Sequence, residues 1–345
     1  DQYGKKLELI ICFLFYILSF VIFYISDTFY LFAIAMVLFG LGEAFRSGTH
    51  KAMIMAYIDH HDLKESKTKI YGLTRSYSLI GSMISSLLAV VFVLWLPEIR
   101  LLFIVSVIPY LIDMILILSY PSYLNQKQEN TFSWKLFLKQ NYSSISYAVK
   151  KPNVRNAILN ASTYQAGFKI IKDYIQPIII SLSVTIIIFS SLTVEEHGHI
   201  YIGFVYAVIY LISSFASKNA YMLKKIYDAK KLIYLMWLLS GLSLLILSIM
   251  LNQLIVIMIV FVILFAMMNI RRPIMVEVLG DVTDSNKRAS VLSIESQLTS
   301  LWIAIFAPIM GWIADYSIQL MLLILGSIMC LLYISQTLYQ KKGEM

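Results

Sequence analysis

Apolar positions along this chain fall into long blocks separated by short polar stretches. Roughly 20 mostly apolar residues are needed for a helix to cross a bilayer. Blocks of that length lie near 7–26, 29–50, 70–95, 100–120, 154–181, 199–217, 232–250, 253–274, 288–313 and 317–339. The pattern predicts an all-α membrane protein with about ten spanning helices. The block at 154–181 is the least apolar of the ten.

The polar positions set an orientation. If the stretch holding Lys5 and Lys6 is cytoplasmic and the sides alternate from there, the cytoplasmic segments collect the basic residues. Of the 28 Lys and Arg, one, Arg100, falls in an outer loop, Arg46, Lys169 and Lys172 lie within spans, and the other 24 lie in the cytoplasmic segments or at the cytoplasmic ends of the blocks. The outer loops carry Asp27, Glu98, Glu195, Glu196 and Asp315 instead. This is the positive-inside bias of a multi-pass protein. It places both chain ends in the cytoplasm and assigns most of the charges, Arg271 and Arg272 among them, to orientation anchoring.

Composition agrees with that picture. The chain is 59% hydrophobic and 14% charged, with a mean hydropathy of +0.76. A soluble domain carries about a quarter charged residues. The net charge of +8 does not point to nucleic acid, because the charges sit between apolar blocks rather than on one face. Cys12 and Cys330 lie inside apolar runs and offer no disulfide framework. The chain opens on Asp1 just before an apolar run, so the expectation is that an N-terminal piece precedes it.

One connection is longer than the rest. Residues 121–153 form a basic linker between the fourth and fifth blocks, within which Phe132–Val149 is weakly amphipathic and suits the inner membrane surface. The predicted organisation is four spans over 1–120, a cytoplasmic linker over 121–153, and a six-helix bundle over 154–345. The two sides of the linker resemble each other: KIYGLTRSYSLIG (69–81) aligns with RASVLSIESQLTS (288–300). Each follows a basic loop and opens a span. A repeat in the same orientation implies a parallel duplication, with two helices missing from the front.

These residues resemble the major facilitator superfamily. Asp1-Gln2-Tyr3-Gly4-Lys5-Lys6 is similar to the end of its DxxG[RK][RK] loop motif, which lies between the second and third family helices. GLGEAFRSGTHKA (40–52), DYIQP (173–177), RASVLS (288–293) and APIMGWIAD (307–315) fit the fourth, seventh and eleventh. The resemblance covers the whole chain as family helices three to twelve. It implies two six-helix bundles that rock about a central cavity, with Asp1, Gly4, Lys5, Lys6 and Arg75 forming a cytoplasmic latch. Two positions depart from the pattern. Met36 stands where many proton-coupled members carry an Arg four residues before Gly40. The fifth-helix pattern of drug antiporters keeps Gly72 and Gly81 but loses its Pro, with Ser85, Ser86, Ala89 and Val90 at the later positions. Membership of the drug/proton branch is therefore not implied.

Ionisable groups inside spans are costly and mark functional sites. In the 154–181 block, Ser162, Gln165, Lys169, Lys172, Asp173 and Gln176 fall within an arc of about 100° on a helix. The family places this helix against the cavity, so Gln165, Lys169, Lys172, Asp173 and Gln176 are candidate substrate contacts. Lys169 and Asp173, four apart, can pair, and Pro177 can kink the helix near its outer end. Glu43 and Arg46 lie at i and i+3 on one face with His50 a turn further in. They read either as a structural ion pair or as a proton-coupling gate. Asp113 and Glu295 are lone intramembrane carboxylates with the same two readings. His60-His61-Asp62 lacks a third ligand cluster, so no metal site is expected.

No nucleotide motif, zinc pattern or nucleophile elbow is present. The expected function is a secondary active transporter, not an enzyme, moving a small molecule across the cell membrane by alternating access. Proton coupling and export are the favoured form, in a monomer that needs no cofactor. Uniport or uptake of a polar or anionic metabolite, and a non-transporting receptor of the same fold, are the alternatives.

Overall fold

The structure, a computed structural model, describes residues 4–63, 66–125, 134–183, 194–284 and 287–343. Asp1 lies outside the described residues. Among the described residues twelve α-helices follow one another: α1 (Lys5–Ile25), α2 (Phe29–His60), α3 (Lys67–Trp95), α4 (Leu101–Leu118), α5 (Trp134–Lys150), α6 (Pro152–Lys172), α7 (Ile175–Ser183), α8 (Val194–Ile226), α9 (Ala229–Ile249), α10 (Leu254–Val282), α11 (Arg288–Tyr316) and α12 (Ile318–Gly343). No strand occurs among the described residues.

Nine of these helices are long and apolar enough to cross a membrane. They correspond to nine of the ten predicted blocks. The tenth, 154–181, is not one straight span. It divides into α6 and α7 at Asp173–Tyr174. Pro177 supplies the reason, because it has no N–H to give the Asp173 carbonyl and its ring crowds that oxygen. Tyr174 N–H instead bonds Ile171 O at 3.0 Å, a tightened last turn.

Several helices outrun their apolar blocks. α2 has 32 residues and α8 has 33. At 1.5 Å per residue each is close to 50 Å long, against about 30 Å of hydrocarbon. Both continue into polar, basic sequence at the end assigned to the cytoplasm, where a helix needs no hydropathy to persist. Polar side chains cap the helix starts. Thr28 Oγ1 accepts Leu31 N–H at 3.5 Å. Asp228 Oδ2 accepts Lys230 and Lys231 N–H at 3.0 and 3.2 Å, and Ser317 Oγ accepts Leu320 N–H at 3.2 Å.

The chain forms two compact units. The first comprises Asp1–Lys67, Trp95–Arg155 and Val282–Ser296, the second Thr68–Leu94, Asn156–Asp281 and Gln297–Met345. In the first, α1 packs against α2 and α4 around Leu9, Cys12, Phe13, Tyr16, Met53 and Ile117. Aromatic rings fill much of this seam: Tyr16 meets Phe39 at 5.0 Å and Tyr110 at 5.1 Å, and Phe23 stacks on Phe103 at 5.0 Å. Lipid tails are as apolar as Leu, so such seams are held by close packing rather than by exclusion of water.

The core of the second unit gathers Tyr164, Ile171, Trp237, Leu244, Phe261, Leu264, Met321 and Leu325. Close backbone approach is bought here by small residues. A Cβ on Gly241 would lie 2.9 Å from Gly326 O, and one on Gly326 would lie 2.9 Å from Gly241 O, so α9 and α12 touch backbone to backbone. α3 and α8 cross in the same way. A Cβ on Gly72 would lie 2.5 Å from Ser217 O, Ser217 Oγ donates to Gly72 O at 3.1 Å, and Ser76 Oγ meets Ser214 Oγ at 2.7 Å. Gly81, which shares the fifth-helix spacing with Gly72, has open space around it.

Candidate functional site

In the first unit a polar network joins α1 to α2. Arg46 donates from Nε to Glu43 Oε1 and from Nη2 to Glu43 Oε2, both at 3.0 Å. The i, i+3 spacing lets the planar guanidinium meet the carboxylate with two parallel bonds, the strong form of the interaction. Tyr16 completes it from α1. Its hydroxyl donates to Glu43 Oε1 and accepts from Arg46 Nε at 3.1 Å. Tyr16 is fully buried, while Glu43 and Arg46 each leave close to half their side chains exposed. A turn further along, Thr49 Oγ1 donates to Glu8 Oε2 at 2.9 Å. The spacing of Glu43 and Arg46 was legible in sequence. Tyr16, 27 residues before Glu43, was not.

The loop-motif residues close around the far end of α4. Gly4 has φ +91°, a conformation that favours glycine, and a Cβ there would collide with the Asn125 amide. Lys6 N–H donates to Asn125 Oδ1 at 3.1 Å. Lys6 Nζ donates to Leu118 O at 3.3 Å and to Tyr120 O. Leu118 O is an orphan carbonyl at the α4 C-terminus, where a cation is favoured. Lys5 is buried. Arg75, on α3, donates from Nε to Asn269 Oδ1 on α10 at 3.0 Å.

In the second unit the polar stripe runs along α6 and over the break. Ser162 and Gln165 are buried, Lys169 and Lys172 are half-buried, and Asp173 and Gln176 are exposed. Lys172 Nζ lies 3.3 Å from Asp173 Oδ1 across the break. Gln176 reaches the Tyr206 hydroxyl of α8. An aromatic cluster stands beside the stripe. Phe168 meets Phe265 edge-on at 4.9 Å, Tyr206 stacks on Tyr210 at 5.6 Å, and both tyrosines meet Phe265 at 6.3 and 6.1 Å. Tyr30, Trp95, Trp312 and Tyr316, by contrast, are exposed near helix ends, where aromatic rings favour the membrane interface.

The two lone carboxylates separate. Asp113 on α4 is exposed and makes no hydrogen bond or ion pair among the described residues. Glu295 on α11 is buried.

Two further polar sites were not singled out. Arg271 is no surface anchor: it is 2% exposed, with its guanidinium 4.1 Å from the Tyr164 ring centre and 5.6 Å from that of Trp237. It donates to Ile233 O at 2.7 Å and to both oxygens of Asn160. Asn160 Nδ2 in turn donates to Gln336 Oε1 at 2.8 Å. One side chain thus ties α6, α9 and α10 together, and Asn160 extends the tie to α12. Glu277 on α10 is also buried. It pairs with Lys224 Nζ of α8 at 2.7 Å and accepts from Thr68 Oγ1 of α3. No group of three or more His, Cys, Asp or Glu among the described residues could hold a metal ion.

Comparison with known proteins adds to this geometry. Curated protein sequences give no match. Solved structures do. The fold is similar to that of a POT family transporter in complex with a thioalcohol-conjugated peptide, with a TM-score of 0.72 at 11% identity, covering 99% of this chain and 83% of that one. It is also similar to that of the human organic anion transporter MFSD10, with a TM-score of 0.70 at 10% identity, covering 97% and 77%. A third similar structure is a POT family transporter in complex with 5-aminolevulinic acid, with a TM-score of 0.70 at 12% identity, covering 99% and 83%. At such identities the likeness is one of fold. The sequence profile described as Major Facilitator Superfamily matches residues 1–217. With more than half of the chain inside that profile, the chain belongs to the Major Facilitator Superfamily.

Proposed function

We propose that this multi-pass membrane protein is a secondary active transporter that moves a small molecule across the cell membrane by alternating access. The observation that carries the reading is the broken α6–α7 element. It is the least apolar membrane segment, it is interrupted at Asp173–Tyr174, and its polar stripe runs beside the Phe168, Tyr206, Tyr210 and Phe265 rings. Interrupted helices at membrane depth are tolerated where they line a cavity, and apolar walls with a few polar groups are how small ligands are bound. Gln165, Lys169, Lys172, Asp173 and Gln176 are the proposed substrate contacts, with the rings as the apolar wall.

Proton coupling is assigned to the Tyr16–Glu43–Arg46 network. Glu43 has a cation and a phenol as partners. Movement of α1 against α2 that removed either one would raise the proton affinity of the carboxylate. Asp113 and Glu295 are secondary candidates for the same role. Gly4, Lys5, Lys6 and Arg75, with Asp1, are the proposed cytoplasmic latch. The proposed organisation keeps four spans before residue 120 and six helices after 154, with both ends in the cytoplasm, in a monomer exporting its substrate.

A second reading, uptake of an anionic metabolite, rests on the two ammonium groups of Lys169 and Lys172 against the single carboxylate of Asp173. The test is flux in proteoliposomes under an imposed pH gradient. Gradient-driven movement supports coupling. Flux indifferent to the gradient, in either direction, favours the second reading.

A further inference from the structure

A lane of polar and aromatic side chains crosses the second unit from α3 to α7. It begins at Arg75, whose Nε donates to Asn269 Oδ1 at 3.0 Å. Asn269 is 2% exposed, and its Nδ2 donates to Phe265 O at 2.8 Å. With its nitrogen committed to the α10 backbone, the amide can offer the guanidinium only its oxygen. Arg75 is also close enough to the Tyr210 hydroxyl to act on it electrostatically. From Tyr210 the lane passes to Tyr206, with ring centres 5.6 Å apart, and from the Tyr206 hydroxyl to Gln176. Lys172 and Asp173 follow at the α6–α7 break. All of these residues belong to the second unit.

The Arg75 end of the lane is deep. Asn269 stands about 20 Å from either end of α10 at 1.5 Å per residue. A cation held at such depth in a spanning helix is costly and marks a functional site. Asn269 orients the guanidinium and, being an amide, does not neutralise it. Along the lane the cations are Arg75, Lys169 and Lys172 and the anion is Asp173, so the balance of charge is positive. A guanidinium presents a planar fork that matches a carboxylate. Beside it lie the Tyr210, Tyr206 and Phe265 rings, with centres 5.6, 6.1 and 6.3 Å apart. Such rings hold another ring by offset or edge contacts. The family pattern alone assigned Arg75 to the cytoplasmic latch, and Gly4, Lys5 and Lys6 lie in the first unit.

We propose that Arg75, oriented by Asn269, is the anion-binding group of the substrate site, and that the substrate class is an aromatic carboxylate. The carboxylate meets the guanidinium, and the ring lies against Tyr206, Tyr210 and Phe265. Asn269 is a positioning residue, acting through Arg75. The substrate class presupposes the transport function proposed for this site, whereas the anion site itself does not.

The test is equilibrium binding to the full chain in detergent, read by thermal shift. The probes are a panel of aromatic carboxylates, from benzoate to indolepropanoate, and the primary amide of each. The parental chain is expected to bind at least one acid tenfold or more tightly than its amide. In Arg75→Gln that acid falls to the level of its amide. Arg75→Lys keeps the charge and retains the preference, weakened severalfold. Asn269→Asp, nearly isosteric, neutralises the guanidinium in place and is expected to lose the preference too, so the test survives if Arg75→Gln does not fold. Absence of binding by every acid at millimolar concentration overturns the proposal. So does a preference that Arg75→Gln and Asn269→Asp leave intact. Equal weakening of acid and amide in the variants also overturns it and leaves Arg75 to the latch. Counterflow in proteoliposomes separates this proposal from the transport function. An acid that binds through Arg75 but gives no counterflow removes transport and keeps the anion site. Counterflow of a neutral or cationic ligand, with no acid bound, removes the anion site and keeps transport.

Discussion

Arg46 holds Glu43 with two parallel hydrogen bonds of 3.0 Å, and the buried hydroxyl of Tyr16 touches both partners. The pair is local in sequence, and the phenol joins it to a different helix. Motion between α1 and α2 therefore changes what the carboxylate sees, which is the property a coupling group needs.

Removing the charge of Glu43 tests that property. Glu43→Gln keeps the shape and one acceptor but loses the ion pair. Hydrogen bonds to charged groups contribute about 1.5–3 kcal/mol, so a loss of roughly tenfold or more is expected in gradient-driven flux. Counterflow, which needs no proton, stays within about twofold. Tyr16→Phe is expected to shift the pH profile of flux while leaving its maximum in place. Parallel loss of gradient-driven flux and counterflow in Glu43→Gln makes the network structural.

Arg271 is expected to be a bolt rather than a ligand. Arg271→Met fills similar volume but leaves the Ile233 carbonyl and the Asn160 amide without their donor. Each buried unsatisfied group costs about 1–3 kcal/mol, so a destabilisation of roughly 2–4 kcal/mol is expected. Denaturant unfolding in detergent measures it. Arg271→Lys restores part of the loss, because a single ammonium cannot reproduce the fork.

The α9–α12 crossing makes a steric prediction. Gly326→Ala places a methyl 2.9 Å from Gly241 O and 3.1 Å from Leu245. Forcing atoms into such a seam costs about 1–3 kcal/mol. Gly81→Ala, where nothing lies within 4 Å, is expected to be neutral in the same assay.

Asp284, just before α11, is fastened to α5: its carboxylate pairs with Lys151 Nζ at 3.2 Å and its N–H donates to the Tyr147 hydroxyl at 3.1 Å. Lys151, then the Tyr147 hydroxyl, hold the Asp284 carboxyl below the usual carboxylate range. A group whose pKa is depressed on folding contributes stability above its unfolded pKa and loses it as pH falls through the folded value. For a carboxylate that window lies below about pH 4. The protection factors of the α5 amides, which are corrected for the intrinsic pH dependence of exchange, are therefore expected to be flat between neutral pH and that point and to fall below it. Asp284→Asn lowers them at neutral pH. A fall in the wild-type chain near pH 6 would falsify the role given to Asp284.

How much of this was written in the sequence differs by kind of feature. Apolar blocks marked ten segments, nine of which are helices long and apolar enough to span, because hydropathy reports depth in a bilayer. Hydropathy also marked 154–181 as the least apolar block, the missing N–H of proline marked Pro177 within it, and the helix breaks at Asp173–Tyr174, one turn before that proline. Hydropathy does not report which way a side chain faces. Arg271 therefore read as an inner-end anchor, although it is enclosed by Tyr164, Trp237 and Asn160 from two other helices. Nor does it report where a helix ends in water, so the polar extensions of α2 and α8 were not foreseen. Local pairs such as Glu43 and Arg46 follow from helical spacing. Tyr16, Glu277 with Lys224, and the Tyr206–Phe265 cluster depend on packing between distant segments, for which one sequence carries no periodic signal.

The central claim is transport through the site on α6 and α7. Its most direct test is counterflow. A ligand found by thermal-shift screening of the chain against metabolite and drug panels is loaded unlabelled into proteoliposomes, and entry of the labelled ligand is followed. The account predicts transient accumulation above equilibrium for the parental chain and none for the Lys169→Ala/Asp173→Ala variant. Ligand binding without accumulation in the parental chain, or a variant that matches the parental rate, would contradict it.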